Sequence, residues 1–220
     1  MQRGFTRRNN ANDAAVFAYP TSKEPPMRRV CVFLGSNPGT NPNYLTTTRA
    51  LGAEIARRGL TTVYGGAGVG LMGELANAAL AAGGEVIGVI PESLRQKELA
   101  HKGLSDLRVV ASMHERKALM AELADGFIAL PGGMGTLEEL CEVMTWAQLG
   151  FHKKPCGLLD VDGYYATLCA FLDHAATEGF IMAAHRAMLL CEADPAALLD
   201  RFDTYTAPTV AKWVTKPQAL

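Results

Sequence analysis

The chain has 220 residues, 49% of them hydrophobic and 20% charged, with a formal net charge of −1. That length suits one domain with a sizeable core, and the near-neutral balance excludes a global field drawing in nucleic acid or a membrane surface. Cys31, Cys141, Cys156, Cys169 and Cys191 form no CxxC pair, which argues against a disulfide framework or a structural zinc and for a reducing, cytoplasmic setting.

Residues 1–27 carry Arg3, Arg7, Arg8 and Pro25-Pro26 without an apolar period. They read as a flexible tail rather than an arginine-rich transit peptide, and they lack the apolar centre of a signal peptide. From Arg29 onward short apolar runs alternate with helical patterns. Strands are predicted over 30–34, 61–64, 86–90, 107–110, 126–130, 156–159 and 187–191. Helices are predicted over 43–58, 71–82, 114–124, 136–148, 164–178 and after Pro195. No apolar run reaches the roughly 18 residues of a membrane span. Strand–helix alternation implies parallel βαβ units, and near-continuous apolar strands imply a sheet covered on both faces. The expected fold is a Rossmann-like, doubly wound α/β domain over 28–201, with 202–220 as a peripheral C-terminal tail.

Three predicted strands end in glycine-rich loops, at 35–39, 65–70 and 132–135. In an open parallel sheet the carboxyl ends of the strands form the ligand crevice, so the three loops should share one edge. Gly68, Gly70 and Gly73 match a dinucleotide fingerprint only by spacing, and no well-placed acid follows. That disfavours a nicotinamide oxidoreductase.

The most informative stretch is Leu130-Pro-Gly-Gly-Met-Gly-Thr-Leu-Glu-Glu139. A buried strand ends, a tight glycine loop follows, and a helix opens. Such a loop presents backbone N–H groups at a helix N-terminus, where an anion can sit. Carboxylates within a turn of that site suggest a nucleotide site that also performs chemistry. Thr136-x-x-Glu139 equally matches a capping box, with Thr136 as N-cap. Leu137, Leu140, Cys141, Met144 and Gln148 are expected to mark the buried side of the helix, and only one of Glu138 and Glu139 can face inward. In Met113-His-Glu-Arg-Lys117, Arg116 and Lys117 point about 100° apart on a helix, so one should reach the crevice and the other its rim. Glu98 and His101 lie in a charged connection that reads as a solvated surface. Trp146 reads as packing.

Taken together, these residues resemble the LONELY GUY (LOG) family of cytokinin riboside 5′-monophosphate phosphoribohydrolases. The matching pieces are Cys31-Val-Phe-x-Gly-Ser36, Tyr64-Gly-Gly-x-x-x-Gly-Leu-Met-Gly73, Met113-His-x-Arg-Lys117, Pro131-Gly-Gly-x-Gly-Thr-x-x-Glu139 and Trp146-Ala-Gln-Leu-Gly150. The resemblance implies a cofactor-independent, metal-free hydrolase that cleaves the N-glycosidic bond of an adenine-type nucleoside 5′-monophosphate, AMP or an N6-prenylated AMP. The products are free base and ribose 5-phosphate. It implies Arg116 and Glu139 as the catalytic pair. It implies substrate contacts from Glu98, Arg116, Lys117, Gly133, Met134, Gly135, Thr136, Leu137, Glu138, Glu139 and Thr145, and a homodimer. The competing reading is a nucleotide-binding module of the same fold without turnover. The chemistry fits the residues independently: breaking C1′–N9 develops positive charge on the ribose, as in glycoside hydrolysis. A nearby carboxylate can stabilise that charge or activate water.

Overall fold

A computed structural model of the chain describes residues 27–209, apart from 96, 98 and 99. Its strands are β1 (Arg29–Phe33), β2 (Thr61–Tyr64), β3 (Val86–Pro91), β4 (Asp106–Val110), β5 (Gly126–Ala129), β6 (Cys156–Leu159) and β7 (Leu189–Glu192). All pair in parallel, in the order β4-β3-β2-β1-β5-β6-β7. The helices between them are α1 (Pro42–Arg57), α2 (Gly70–Ala81), α3 (Glu92–Arg95), α4 (Met113–Leu123), α5 (Met134–Gln148), α6 (Ala166–Thr177), α7 (Ala183–Arg186) and α8 (Pro195–Asp203). The chain winds outward from β1 in both directions. The topological switch point, where such sheets bind ligands, therefore lies between β1 and β5.

Side chains alternate along each strand between two cores. Val30 and Val32 of β1 join Leu51 and Ile55 of α1, Leu71 and Leu75 of α2, and Leu198, Leu199 and Phe202 of α8. Cys31 and Phe33 join Met120 of α4 and Leu140 and Val143 of α5 on the other face. Burial on both faces is why these strands read as continuous apolar runs. The edge strand β4 is only half-buried and carries an Asp106–Arg108 ion pair at 2.8 Å, which discourages edge-to-edge pairing.

The differences from the sequence expectations are local. α3, α7 and a 3-10 turn at Val161–Gly163 are too short to leave a periodic signal. The helix expected from 164 begins at Ala166 because a turn intervenes: Tyr165 N–H donates to the Asp160 carboxylate at 2.7 Å, and Asp162 sits at φ 52°. α8 runs to Asp203 and buries Phe202 in the core, so the stretch expected to be peripheral from 202 starts inside the fold. Residues 1–26 of the expected tail, 210–220 and Glu98 lie outside the described residues.

Candidate active site

The crevice at the switch point is built by two loops. Gly35 N–H donates to the Pro131 carbonyl at 3.1 Å, which ties the loop after β1 to the loop after β5. Between them lies a cavity of about 220 Å³, closed by Tyr44 of α1, Leu71 of α2 and Tyr164. α5 points its N-terminus here. Gly133 is its N-cap, in extended conformation and with no side-chain capping bond. The first α-helical bond runs from Leu137 N–H to the Gly133 carbonyl at 3.2 Å. The N–H groups of Met134, Gly135 and Thr136 precede that bond and have no carbonyl four residues back in the helix. Together with the helix dipole they give this end of α5 a partial positive charge, of the kind that suits an anion.

This overturns the capping-box expectation. Thr136 is not the N-cap; it lies inside the first turn and is buried. A Cβ on Gly132 would collide with the Thr136 hydroxyl, so glycine there lets the loop lie directly on the helix. Met134 is 80% exposed, Gly133 and Gly135 are open, and Leu137 is half-buried.

The buried stripe of α5 is Thr136, Leu140, Val143 and Ala147; Cys141, Met144 and Gln148, expected to be buried, line an outer groove instead. At about 100° per residue, Glu139 lies on the flank of that stripe and Glu138 on the far side. The environments agree. Glu139 borders a cavity of about 10 Å³ together with Arg116, Gly65, Met72 and Met120, room for about one water molecule. Glu138 faces outward to Lys117 at 2.5 Å, with Glu142 also on that ammonium at 3.1 Å.

Arg116 is 5% exposed. Its Nε donates to the Val89 carbonyl at 3.1 Å and a terminal nitrogen to the Gly65 carbonyl at 3.0 Å. It is thus anchored to a carbonyl within β3 and to that of the residue after β2, in the interior rather than on the open rim. A Cβ on Gly65 would overlap the guanidinium. Lys117 takes the rim position, and the hydrogen bond to Glu138 raises its pKa above the usual lysine value. Cys31 lies beneath. Burial drives its thiol pKa well up, the Glu139 charge adds to this, and Arg116 and Lys154 oppose it. A thiol in that setting is no nucleophile.

Thr145 is not brought to this site. It lies on the face of α5 away from the buried stripe, bonds the Cys141 carbonyl at 2.7 Å and lines a groove of about 230 Å³ against α6 and α7. Sequence reasoning missed Gly65 as the seat of Arg116 and Tyr164 as a wall of the crevice. The Asp160-x-Asp162-Gly163 turn signal ahead of two tyrosines was the available clue to the second. Among the described residues there is no cluster of three His, Cys, Asp or Glu able to hold a metal.

A family described as possible lysine decarboxylase matches residues 72–202. A cytokinin riboside 5′-monophosphate phosphoribohydrolase from Rhodococcoides fascians is 55% identical over 181 residues, 82% of this chain and 89% of that protein. An Arabidopsis thaliana protein of the same name is 48% identical over 178 residues, 81% of this chain and 82% of that one. Among solved structures, a molybdenum cofactor binding protein from Rippkaea orientalis superposes with a TM-score of 0.62 at 22% identity, over 80% of this chain and 96% of the other. Identity that low establishes a shared fold alone.

Proposed function

The chain belongs to the LONELY GUY family of cytokinin riboside 5′-monophosphate phosphoribohydrolases, and from that premise we infer that it hydrolyses the N-glycosidic bond of adenine-type nucleoside 5′-monophosphates. The products are the free base and ribose 5-phosphate. Glu139 and Arg116 are the proposed catalytic pair. The observation that carries the assignment is that both border one small cavity, Arg116 from α4 and Glu139 from α5, the helix whose N-terminus heads the crevice.

In the proposed mechanism the 5′-phosphate sits on the N–H groups from Gly133 to Thr136. Holding it there positions the ribose against Glu139, and positioning of this kind converts binding energy into rate. As C1′–N9 breaks, the bonding electrons leave with the base and positive charge grows on the ribose. The Glu139 carboxylate stabilises that charge or takes a proton from the attacking water. Arg116, locked to the Val89 and Gly65 carbonyls, fixes a positive charge beside the cavity it shares with Glu139 and orients the carboxylate. Lys117, Glu138 and Leu137 form the rim. The family description as a possible lysine decarboxylase does not fit Lys117 as a Schiff-base amine, because two carboxylates hold its ammonium charged and a protonated amine is no nucleophile.

The direct test is product analysis with AMP, an isopentenyl-AMP and their unphosphorylated nucleosides side by side. Free base with ribose 5-phosphate is expected from the nucleotides. Tight nucleotide binding with no released base would favour the binding-module reading instead. Gly65→Ala gives a second test. The new Cβ meets a side chain rather than backbone, so the fold should survive, but shifting a buried guanidinium off its carbonyl partners should lower the melting temperature measurably. That guanidinium belongs to Arg116, so turnover should fall by about tenfold or more. Unchanged turnover in a folded Gly65→Ala protein would remove Arg116 from the mechanism.

A homodimer and a cytoplasmic setting belong to the same proposal. α6 buries no residue within one chain, and Phe171 and Phe180 stand 63% and 88% exposed near the groove between α5, α6 and α7. An apolar face of this kind suits a second copy. Thr145, on the groove rather than in the crevice, would then serve the interface or the neighbouring site. Sedimentation should give a dimer at micromolar concentration, and a monomer alone would contradict the assignment. All five cysteines are free thiols, which fits a reducing compartment, and no helix among the described residues is long and apolar enough to cross a membrane.

A further inference from the structure

Tyr164 lies outside every motif considered above, yet it forms one wall of the crevice. Its hydroxyl donates to the Gly132 carbonyl at 2.6 Å, within the loop that feeds α5. A trans peptide is planar, with its C=O and N–H antiparallel. Capping the Gly132 carbonyl therefore fixes the plane of the 132–133 peptide and the direction of the Gly133 N–H. Glycines on both sides of that bond leave the backbone otherwise free to rotate.

The tyrosine is itself held from three directions. Its ring packs edge-on against Tyr44 at 5.6 Å and against Tyr165 at 4.9 Å. Two residues earlier, Asp162 occupies the left-handed region at φ 52°, which is costly for a non-glycine residue. Its carboxylate accepts from the side-chain amides of Asn41 and Asn43 at 2.7 and 2.8 Å. Those bonds lower its pKa below the usual aspartate value, Asn43 first and Asn41 second. Asn41 is the N-cap of α1 and accepts from Asn43 N–H at 2.9 Å. The segment after β6 therefore bridges the two loops that flank the switch point. It grips the start of α1 on one side and the Gly132 carbonyl on the other.

We propose that Tyr164 is a positioning residue for phosphate recognition: its hydroxyl orients the Gly132–Gly133 peptide so that the N-terminus of α5 meets the 5′-phosphate preorganised. This rests on the assignment of that helix end as the phosphate site. A hydrogen bond that orients only the Gly133 N–H should chiefly alter affinity for the phosphate group; the phosphate still docks on the N–H groups of Met134 to Thr136 and keeps the ribose against Glu139, so bond cleavage in the bound complex should change little.

The test compares wild type with Tyr164→Phe, which keeps the ring and its aromatic contacts, using calorimetric titration with ribose 5-phosphate alongside steady-state kinetics on AMP. The expected result is about a tenfold weaker Kd for ribose 5-phosphate, about 1.4 kcal/mol, and a similar rise in KM for AMP. The kcat should stay within about twofold, the melting temperature should be unchanged, and any hydrolysis of adenosine, which has no phosphate to place, should proceed at the wild-type rate. If wild type binds ribose 5-phosphate and Tyr164→Phe binds it equally well, the positioning role is overturned while the phosphate site stands. If kcat falls with affinity unchanged, the hydroxyl acts on the chemistry and the proposal is wrong. If wild type itself does not bind ribose 5-phosphate, the phosphate site is misassigned and the proposal goes with it.

Discussion

Glu139→Gln is expected to lower turnover of a nucleoside 5′-monophosphate by about a hundredfold or more while leaving nucleotide binding and melting temperature close to wild type. A positioned acid–base group typically contributes 10²–10⁴ in rate, and the substitution removes the charge with little change of shape. The rival explanation for a carboxylate at this position was helix capping. Because α5 begins at Met134 with Gly133 as its N-cap, Glu139 lies beyond the first turn and away from the N3 position of a capping box. A purely structural role would therefore leave activity nearly normal. Glu138→Gln is the internal control. Its side chain is 54% exposed and pairs with Lys117, and exposed pairs of this kind contribute at most about 1 kcal/mol, so only a mild loss is expected. If Glu138→Gln is inactive and Glu139→Gln turns over normally, the two acids have exchanged roles. If both variants remain active, no carboxylate of α5 drives the reaction.

The distinction between these acids shows where sequence reading stops. The sheet was legible because its central strands, β1, β3, β5 and β6, are covered on both faces and so appear as apolar runs. The alternation of strands with helices then left little freedom in topology. The start of α5 was not legible. Thr136-x-x-Glu139 satisfies the local rule for a capping box, but the glycine loop puts the N-cap three residues earlier, at Gly133, and the N–H groups of the first turn are left for a ligand instead of a side chain. The buried face of α5 was misjudged for a related reason. Cys141 and Met144 are as apolar as Leu140 and Val143, and nothing in their chemistry distinguishes the sheet-facing stripe from a groove facing α6 and α7. Arg116 and Lys117 were correctly separated by helical geometry. Which of them is buried depends on Gly65, fifty-one residues away, where the missing side chain leaves room for the guanidinium. For Tyr164 the turn signal at Asp160 to Gly163 marks the place in the chain but not the contact, because its partner is a backbone carbonyl, which leaves no mark on composition or spacing.

Removing the 5′-phosphate from the substrate should have an effect as large as removing Glu139. The N-terminus of α5 offers the N–H groups of Met134, Gly135 and Thr136 at the positive end of a fifteen-residue helix. Hydrogen bonds to a charged group contribute about 1.5–3 kcal/mol each, so losing two or three of them should lower kcat/KM for adenosine by several orders of magnitude relative to AMP. Part of that loss should appear in kcat as well as in KM. Binding energy from the remote phosphate positions C1′ against Glu139, and a substrate without it is bound less productively. Adding ribose 5-phosphate to the AMP reaction should inhibit competitively, because it occupies the same helix end without a bond to cleave. Equal kcat/KM for adenosine and AMP would mean that the glycine loop takes no part in substrate recognition. It would also leave no reason for Gly133, rather than a side-chain cap, to begin the helix.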